Sequence, residues 1–348
     1  MHFSDLARYR YDLPAELVRT KGLEPRDSAR LFVYDTKTDT VVMDTFANLA
    51  RYLPPHALVV LNDTRVLPAR LWLKKETGGK IEVFVLANQI EDEERIPVLV
   101  DRKVTLGQKL YFPNGEYCEV VDQAENIFSV KLHSEVGLFA LLNQFGETPL
   151  PHYLEGAGTP ETELRERYQT VFAESGASVA APTASLHFTE RVFESLQQKD
   201  IETARLTLNV GLGTFAPLRP ENFETKRLHR EYAHIPVETA HAINTAHERG
   251  EKVVAVGTTV TRTLESAVEA GPVRLMSGPT DIFIFPPYHF QAVDALITNF
   301  HLPETSLMLL VDAFLEHKGA KRDIIALYDL AIQERYAFYS FGDSMLIL

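Results

Sequence analysis

ALITNFHLPETSLMLLVDAFLE, residues 295–316, decides how this chain is read. The branched apolar residues of ALIT suit a short buried strand. Beyond Pro303, the residues Leu307, Leu310, Val311, Phe314 and Leu315 recur at helical spacing. Proline is at home in a first helical turn, where a backbone N–H would have no partner anyway. The stretch is therefore predicted as strand, polar turn and helix, with Thr298, Asn299 and His301 in the turn. Near the positive end of a helix dipole, His301 is expected to be unprotonated at neutral pH and available as a base.

The pattern recurs. ALVVLNDTRVLPARL (57–71) passes from an apolar run into Asn62, Asp63, Thr64 and Arg65. RLTLNVGLGTFAPL (205–218) alternates like a strand and enters a glycine pair. KVVAVGTTVTRTLESAVEAG (252–271) reads as strand, Gly257-Thr258-Thr259 turn and a helix running to Gly271. In SVAAPTASLHFTERVFESL (178–196), His187 stands just before Thr189, an expected helix N-cap. Strands alternating with helices predict an α/β fold with a mixed, largely parallel sheet, whose ligands gather beyond the carboxyl ends of the strands. Between residues 71 and 150 the texture changes to short β-like runs, predicting an inserted antiparallel β-barrel-like domain. The expected division is an α/β catalytic domain of residues 1–70 and 151–348, interrupted by the 71–150 barrel. EGAGTPETELRER (155–167) reads as a mobile loop.

The chain of 348 residues is long enough for two cores, and its single cysteine, Cys118, excludes an internal disulfide framework and any CxxC motif. The opening MHFSDLARYRYDLP has charges where a signal peptide needs apolar residues, and no apolar run reaches membrane-spanning length, so a cytosolic location is expected. A net charge of −13 argues against nonspecific coating of nucleic acid while leaving room for a local basic patch.

Several motifs invite chemistry. GLGTFA (211–216) follows a strand but lacks the third glycine of a dinucleotide fingerprint, which favours a tight turn close to some ligand. GTT at 257–259 opens a helix, where amides and hydroxyls hold carboxylates or phosphates. His229, Glu231 and His234 lack zinc-site spacing, and on a strand only His229 and Glu231 share a face, so no metal is expected. Lys80 in GGKIE, with Arg65 and Lys74 nearby, forms the densest basic stretch, a candidate phosphate-contact patch. The aromatic tail RYAFYSFGDSMLIL is expected to pack the core. Neither a GxSxG elbow nor a P-loop occurs.

Taken in order, NDTRVLPARL, GGKIEV, RYQTVFAESGASVAAPTASLHFT, TLNVGLGTFAPL, LHREYAHI, VVAVGTTVTRTLESA, DIFIFPPYHF, ALITNFHLPETSLMLLV and YAFYSFGDSML resemble the S-adenosylmethionine:tRNA ribosyltransferase-isomerase family of queuosine biosynthesis, over nearly the whole chain. The resemblance implies a cytoplasmic monomer with an α/β catalytic domain and an inserted barrel. It implies S-adenosylmethionine as co-substrate and, as partner, the anticodon loop of tRNA carrying preQ1 at the wobble position. The ribosyl part moves to the preQ1 aminomethyl group and isomerises to give epoxyqueuosine, while adenine and methionine leave. A sulfonium acidifies the neighbouring C5′ hydrogens, so a base is needed, and positive character at C1′ calls for a carboxylate.

On that basis His187 and His301 are the acid/base candidates and Glu231 the charge-stabilising carboxylate. Asn299, His229 and Arg262 would orient or anchor the co-substrate, and Gly213, Thr214, Phe215, Thr258 and Thr259 would line its pocket. Arg65, Lys74 and Lys80 would reach tRNA phosphates. The chain departs from the family pattern in reading TLNVG with Asn209 for a histidine, Lys226 for the first histidine of HxMHxE, and Pro287 for a glycine. Those departures keep two alternatives in view: a paralogue acting on another amine acceptor, and a non-catalytic RNA-binding homologue.

Overall fold

The computed structural model describes residues 1–348 except Glu91, 155–157, Leu212, Thr214, Phe215, 269 and 270. Its centre is a nine-stranded mixed sheet. In spatial order the strands are Met276–Ile282, Arg227–Ile235, Glu202–Asn209, Leu58–Asn62, Val253–Val256, Ala295–Asn299, Ser344–Ile347, Arg30–Asp35 and Thr40–Thr45. Four consecutive members, from Glu202–Asn209 to Ala295–Asn299, run parallel, with Ala204 beside Val60, Val254 beside Val59 and Val256 beside Ile297.

The apolar texture of these strands follows from two-sided burial, which leaves no face for polar residues. Val60, Leu206, Ala255 and Leu296 pack into one core, beneath the helices Val237–Glu248, Thr258–Ser266, Ser306–His317 and Ile324–Gln333. Val59, Leu61, Val254, Val256, Ala295 and Ile297 point the other way, into a second core closed by Phe46, Leu49, Phe188 and Val192.

A separate layer is a closed six-stranded antiparallel barrel. Its strands are Arg70–Lys75, Lys80–Val85, Ile96–Val100, Lys109–Tyr111, Tyr117–Ala124 and Ile127–His133. Leu71, Leu73, Ile81, Val83, Val98, Leu110, Cys118 and Val120 fill it, and Leu138, Leu141 and Leu142 of the helix Leu138–Phe145 join the same core. The mixed α/β fold with its barrel is thus the architecture read from the texture of the sequence. A short parallel pair joins Thr64–Val66, which precedes the barrel in the chain, to Ser175–Ser178, which follows it.

Local readings differ in instructive ways. ALIT extends through Asn299 as a buried strand, and Thr189 caps the helix Glu190–Gln197, its hydroxyl accepting from Val192 N–H at 3.3 Å. Pro303, however, stands ahead of its helix. Thr305 is the N-cap, accepting from Met308 N–H at 3.4 Å, and Glu304 takes a φ of 57° between them. The helix after Gly257 closes at Ser266 with Ala267 as its C-cap, short of Gly271.

The segment read as a mobile loop contains the helix Glu161–Arg167. Glu161–Arg165 and Glu163–Arg167 pairs at four-residue spacing, at 2.8 and 2.6 Å, support it. Glu161 also accepts from Thr148 N–H at 2.8 Å, tying the helix down. Residues 155–157 of that segment lie outside the described ones.

Two expectations follow. A Cβ at Gly146 would stand 1.9 Å from the Pro68 carbonyl oxygen and 2.5 Å from that of Leu142, both backbone atoms. Gly146→Ala should therefore cost about 2 kcal/mol or more in urea unfolding. Cys118 is buried, and burial pushes its thiol up to about 12. It should resist thiol reagents in the native protein and react fully once unfolded.

Candidate active site

The parallel strands deliver their carboxyl ends to one rim, and a cavity opens there. Its wall is Val210 after Glu202–Asn209, Gly257, Thr258 and Thr259 after Val253–Val256, and Thr298, Asn299 and His301 at the end of Ala295–Asn299. Thr183 and Ala184, together with Tyr153, Tyr339 and Ser340, complete it. Two of the polar turns singled out by sequence, Gly257 to Thr259 and Thr298 to His301, thus converge because parallel register leaves their strands ending at one level, whereas Asn62, Asp63, Thr64 and Arg65 do not line the cavity.

Gly257, at φ 90°, takes a conformation that L side chains rarely adopt and turns the chain from its strand into a helix whose first residues, Thr258 and Thr259, face the cavity. The hydroxyl of Thr259 is buried without a hydrogen-bond partner among the described residues. Asn299 is held from both sides, accepting from the Thr183 hydroxyl at 2.9 Å and donating to the Asp343 carbonyl at 3.4 Å.

His301 is fixed by its backbone as much as by its ring. Its N–H donates to the Tyr328 hydroxyl at 2.8 Å, and its carbonyl accepts from the Tyr11 hydroxyl. The ring nitrogens Nδ1 and Nε2 lie 3.4 Å from Tyr328 Oη and 3.3 Å from Thr298 Oγ1. Burial pushes the imidazole down to about 3, so it is neutral at physiological pH. The neutral ring expected from sequence is present, but desolvation causes it; the helix N-cap lies four residues further on.

Glu231 and Arg262 stand behind the cavity wall, at 3 % and 4 % exposure. The carboxylate accepts from Arg262 Nη1 and, at 2.9 Å, from Gly211 N–H, next to cavity-lining Val210. Arg262 Nε also donates to the Ile282 carbonyl at 3.3 Å, while its Nη2 is buried without a hydrogen-bond partner among the described residues. The pair bridges the strand Arg227–Ile235 to the helix that carries Thr258 and Thr259.

The other sequence candidates divide. Gly213 is pressed against His229, since a Cβ there would lie 2.4 Å from the histidine's own Cβ. His229 is exposed although Glu231 two residues on is buried, because the pairing with Met276–Ile282 shifts between Arg227 and Glu231. It lines a separate groove with Glu125 and Asn126 of a barrel hairpin. Thr214 and Phe215 lie outside the described residues. His187 faces away from the cavity, into a small pocket with Gly22, Arg26, Arg167 and Phe341. Its ring tilts against Phe46 with centroids 5.3 Å apart, and burial pushes it down to about 4. Lys74 and Lys80 are brought opposite each other on adjacent barrel strands, with Lys80 Nζ 4.2 Å over the Trp72 ring, and Arg65 is exposed on Thr64–Val66.

Of the departures, Lys226 and Pro287 line one groove. Asn209 is a structural hydrogen-bonder: its Oδ1 accepts from Ala177 N–H at 2.9 Å, against Gly176.

Sequence reasoning missed Tyr153, Tyr339 and Ser340. The aromatic tail does pack the core through Tyr336 and Phe338, yet its next two residues line the cavity. The Tyr153 and Ser340 hydroxyls are bonded to each other, and Ser340 N–H donates to Tyr153 Oη at 3.0 Å. A non-glycine left-handed residue, Tyr339 at φ 72°, makes that turn, and nothing in its local sequence announces it. Among the described residues no cluster of three or more His, Cys, Asp or Glu side chains could hold a metal ion, and no helix is long and apolar enough to cross a membrane.

An α/β sheet with a cavity at its carboxyl rim has its space where open sheets of this class bind their ligands. The chain belongs to the queuosine biosynthesis protein family, whose model matches residues 6–347. It is 42% identical over 347 residues to an S-adenosylmethionine:tRNA ribosyltransferase-isomerase of Thermoanaerobacter sp. (strain X514), covering 98% of this chain and 99% of that one. An enzyme of the same description from Clostridioides difficile (strain 630) is 43% identical over 344 residues, covering 97% and 98%. The crystal structure of the S-adenosylmethionine tRNA ribosyltransferase of Thermotoga maritima superposes with a TM-score of 0.55 at 31% identity, covering 98% of this chain and 99% of that one.

Buried His187 makes the protein acid-sensitive in a defined window. A folded pKa below the unfolded value of 6.5 means that, as pH falls past 6.5, the unfolded chain takes up a proton that the folded chain refuses. Stability is intact above that pH and is lost on the way down to about 4. His187→Gln should flatten the fall in unfolding free energy between pH 7 and pH 5 by about 2 kcal/mol, measured by urea titration at each pH.

Proposed function

We propose that this protein transfers the ribosyl moiety of S-adenosylmethionine to the aminomethyl group of preQ1 at the wobble position of tRNA and isomerises it to epoxyqueuosine, releasing adenine and methionine. S-adenosylmethionine is its co-substrate and tRNA its partner. The finer reading is that the partner surface is the preQ1-bearing anticodon loop and that the enzyme works as a cytoplasmic monomer. We read residues 1–70 and 151–348 as its catalytic domain and 71–150 as the inserted barrel domain.

The observation that supports this most directly is the rim cavity itself. It combines a helix N-terminus bearing Thr258 and Thr259, a neutral imidazole at His301 and the amide of Asn299, in a chain collinear with ribosyltransferase-isomerases. A helix N-terminus suits the methionine carboxylate. A neutral imidazole is the form a base must have before it accepts the C5′ proton. The hydroxyls of Tyr328 and Thr298 flank its two nitrogens and hold the ring in place.

Glu231 keeps Gly211 and Arg262 in place behind the wall, and it remains the proposed charge-stabilising carboxylate, held by its bonds to both. Arg65, Lys74 and Lys80 remain the proposed phosphate contacts, and His187, outside the cavity, the second acid/base candidate.

Incubation with S-adenosylmethionine and preQ1-bearing tRNA should release adenine and shift the wobble nucleoside to the mass of epoxyqueuosine. Adenine only with another amine acceptor, or tRNA binding without adenine, would overturn the assignment. His301→Ala and Glu231→Gln should each lower turnover by about 10²-fold or more, with far-UV circular dichroism unchanged.

A further inference from the structure

A groove of about 840 Å³ opens at the far side of the same rim and takes no part in the chemistry above. Its lining includes five aromatic rings, Phe3, Phe223, Phe283, Phe285 and Tyr288, with the exposed side chains of Lys226 and Glu224 beside them. Phe283 and Phe285 have centroids 4.6 Å apart, Phe223 stands 5.1 Å from Phe283, and Phe3 caps Phe223 edge-on at 5.9 Å while 38% exposed.

Strand register places this groove relative to the cavity. Asn209, at the carboxyl end of its strand, pairs with Tyr232, so Lys226 and Arg227 run on past that end, and Ile282 pairs with Arg227. Lys226 and the 283–288 turn therefore project beyond the edge that carries Val210, one and two strand spacings of about 5 Å away. The N-terminal segment joins the two places. Phe3 lines the groove, the Tyr9 carbonyl accepts from Glu304 N–H at 3.3 Å, and the Tyr11 hydroxyl binds the His301 carbonyl.

We infer that this groove stacks an unpaired nucleobase of the RNA substrate, a nucleotide flanking the one that reacts, with Lys226 on its phosphate. The inference rests on tRNA being the substrate. Charge selects RNA over an apolar peptide. In a chain of net charge −13, this edge carries Lys226, exposed and without an ion pair among the described residues, against one carboxylate in the groove lining, Glu224. Beside it are Arg227 and Arg230, 64% and 74% exposed, which share the single carboxylate of Asp281. Aromatic side chains beside a cation are how proteins hold splayed single-stranded bases, since every base has a π face.

The test uses two substitutions that spare the cavity. Lys226 takes a left-handed φ of 56°, which asparagine tolerates, so Lys226→Asn removes the charge without straining the turn. Phe3→Ala removes the most exposed ring. Binding of a preQ1-bearing anticodon stem-loop is measured against salt, alongside KM for S-adenosylmethionine and adenine release at saturating tRNA.

Lys226→Asn should weaken RNA binding and lower the slope of log Kd against log salt by about one. Phe3→Ala should weaken binding at least about fivefold. Both should leave KM for S-adenosylmethionine and the saturated rate unchanged. Unaltered RNA affinity in both variants, or a raised KM for S-adenosylmethionine instead, overturns the inference. Should wild-type protein bind the stem-loop yet release no adenine, the proposed reaction fails, while the groove is still decided by the two affinities. If Phe3→Ala lowers the melting temperature, the salt slope of Lys226→Asn decides alone.

Discussion

Four parallel strands ending at one level are the constraint on which everything else rests. Their residues alternate between two cores, so neither face can slip by one residue without moving its apolar set to the wrong side. That register is why Val210, Thr258 and Asn299, far apart in the chain, meet around one space. A sheet of alternating direction would have sent half of these turns to the opposite edge.

Behind the wall, the Glu231–Arg262 pair adds a second constraint. A buried ion pair is weak evidence for stability, because desolvation offsets much of the attraction. Its geometric effect is clearer: one carboxylate ties the turn after Glu202–Asn209, through Gly211, to the helix opened by Thr258 and Thr259. Two sides of the cavity are thereby held at a fixed spacing.

Strands buried on both faces were legible as apolar runs, and the polar turns after them as breaks in those runs; VVAV before GTT and ALIT before NFH show both signals. The barrel showed as a change of rhythm. What local pattern could not show was direction. His187 lies on a tight 3-10 turn, Thr183–His187, which gives Thr183 and Ala184 to the cavity and sends the imidazole to Phe46. His229 and Glu231 part company because the ladder shifts between them and their neighbours. Tyr339 and Ser340 arrive through long-range packing of the tail against Tyr153, at a sequence separation of 187 residues in the Ser340–Tyr153 bond. The Glu161–Arg167 helix is held by side-chain pairs that a Gly/Pro-bearing composition concealed.

The barrel strand Arg70–Lys75 carries the only tryptophan of the chain. Its indole N–H donates to Glu147 at 3.0 Å, and the ammonium of Lys80 sits above its ring. Whatever engages that lysine must alter the surroundings of the indole. The molecule therefore carries a built-in optical reporter, with emission arising from one known point on the barrel rather than averaged over several.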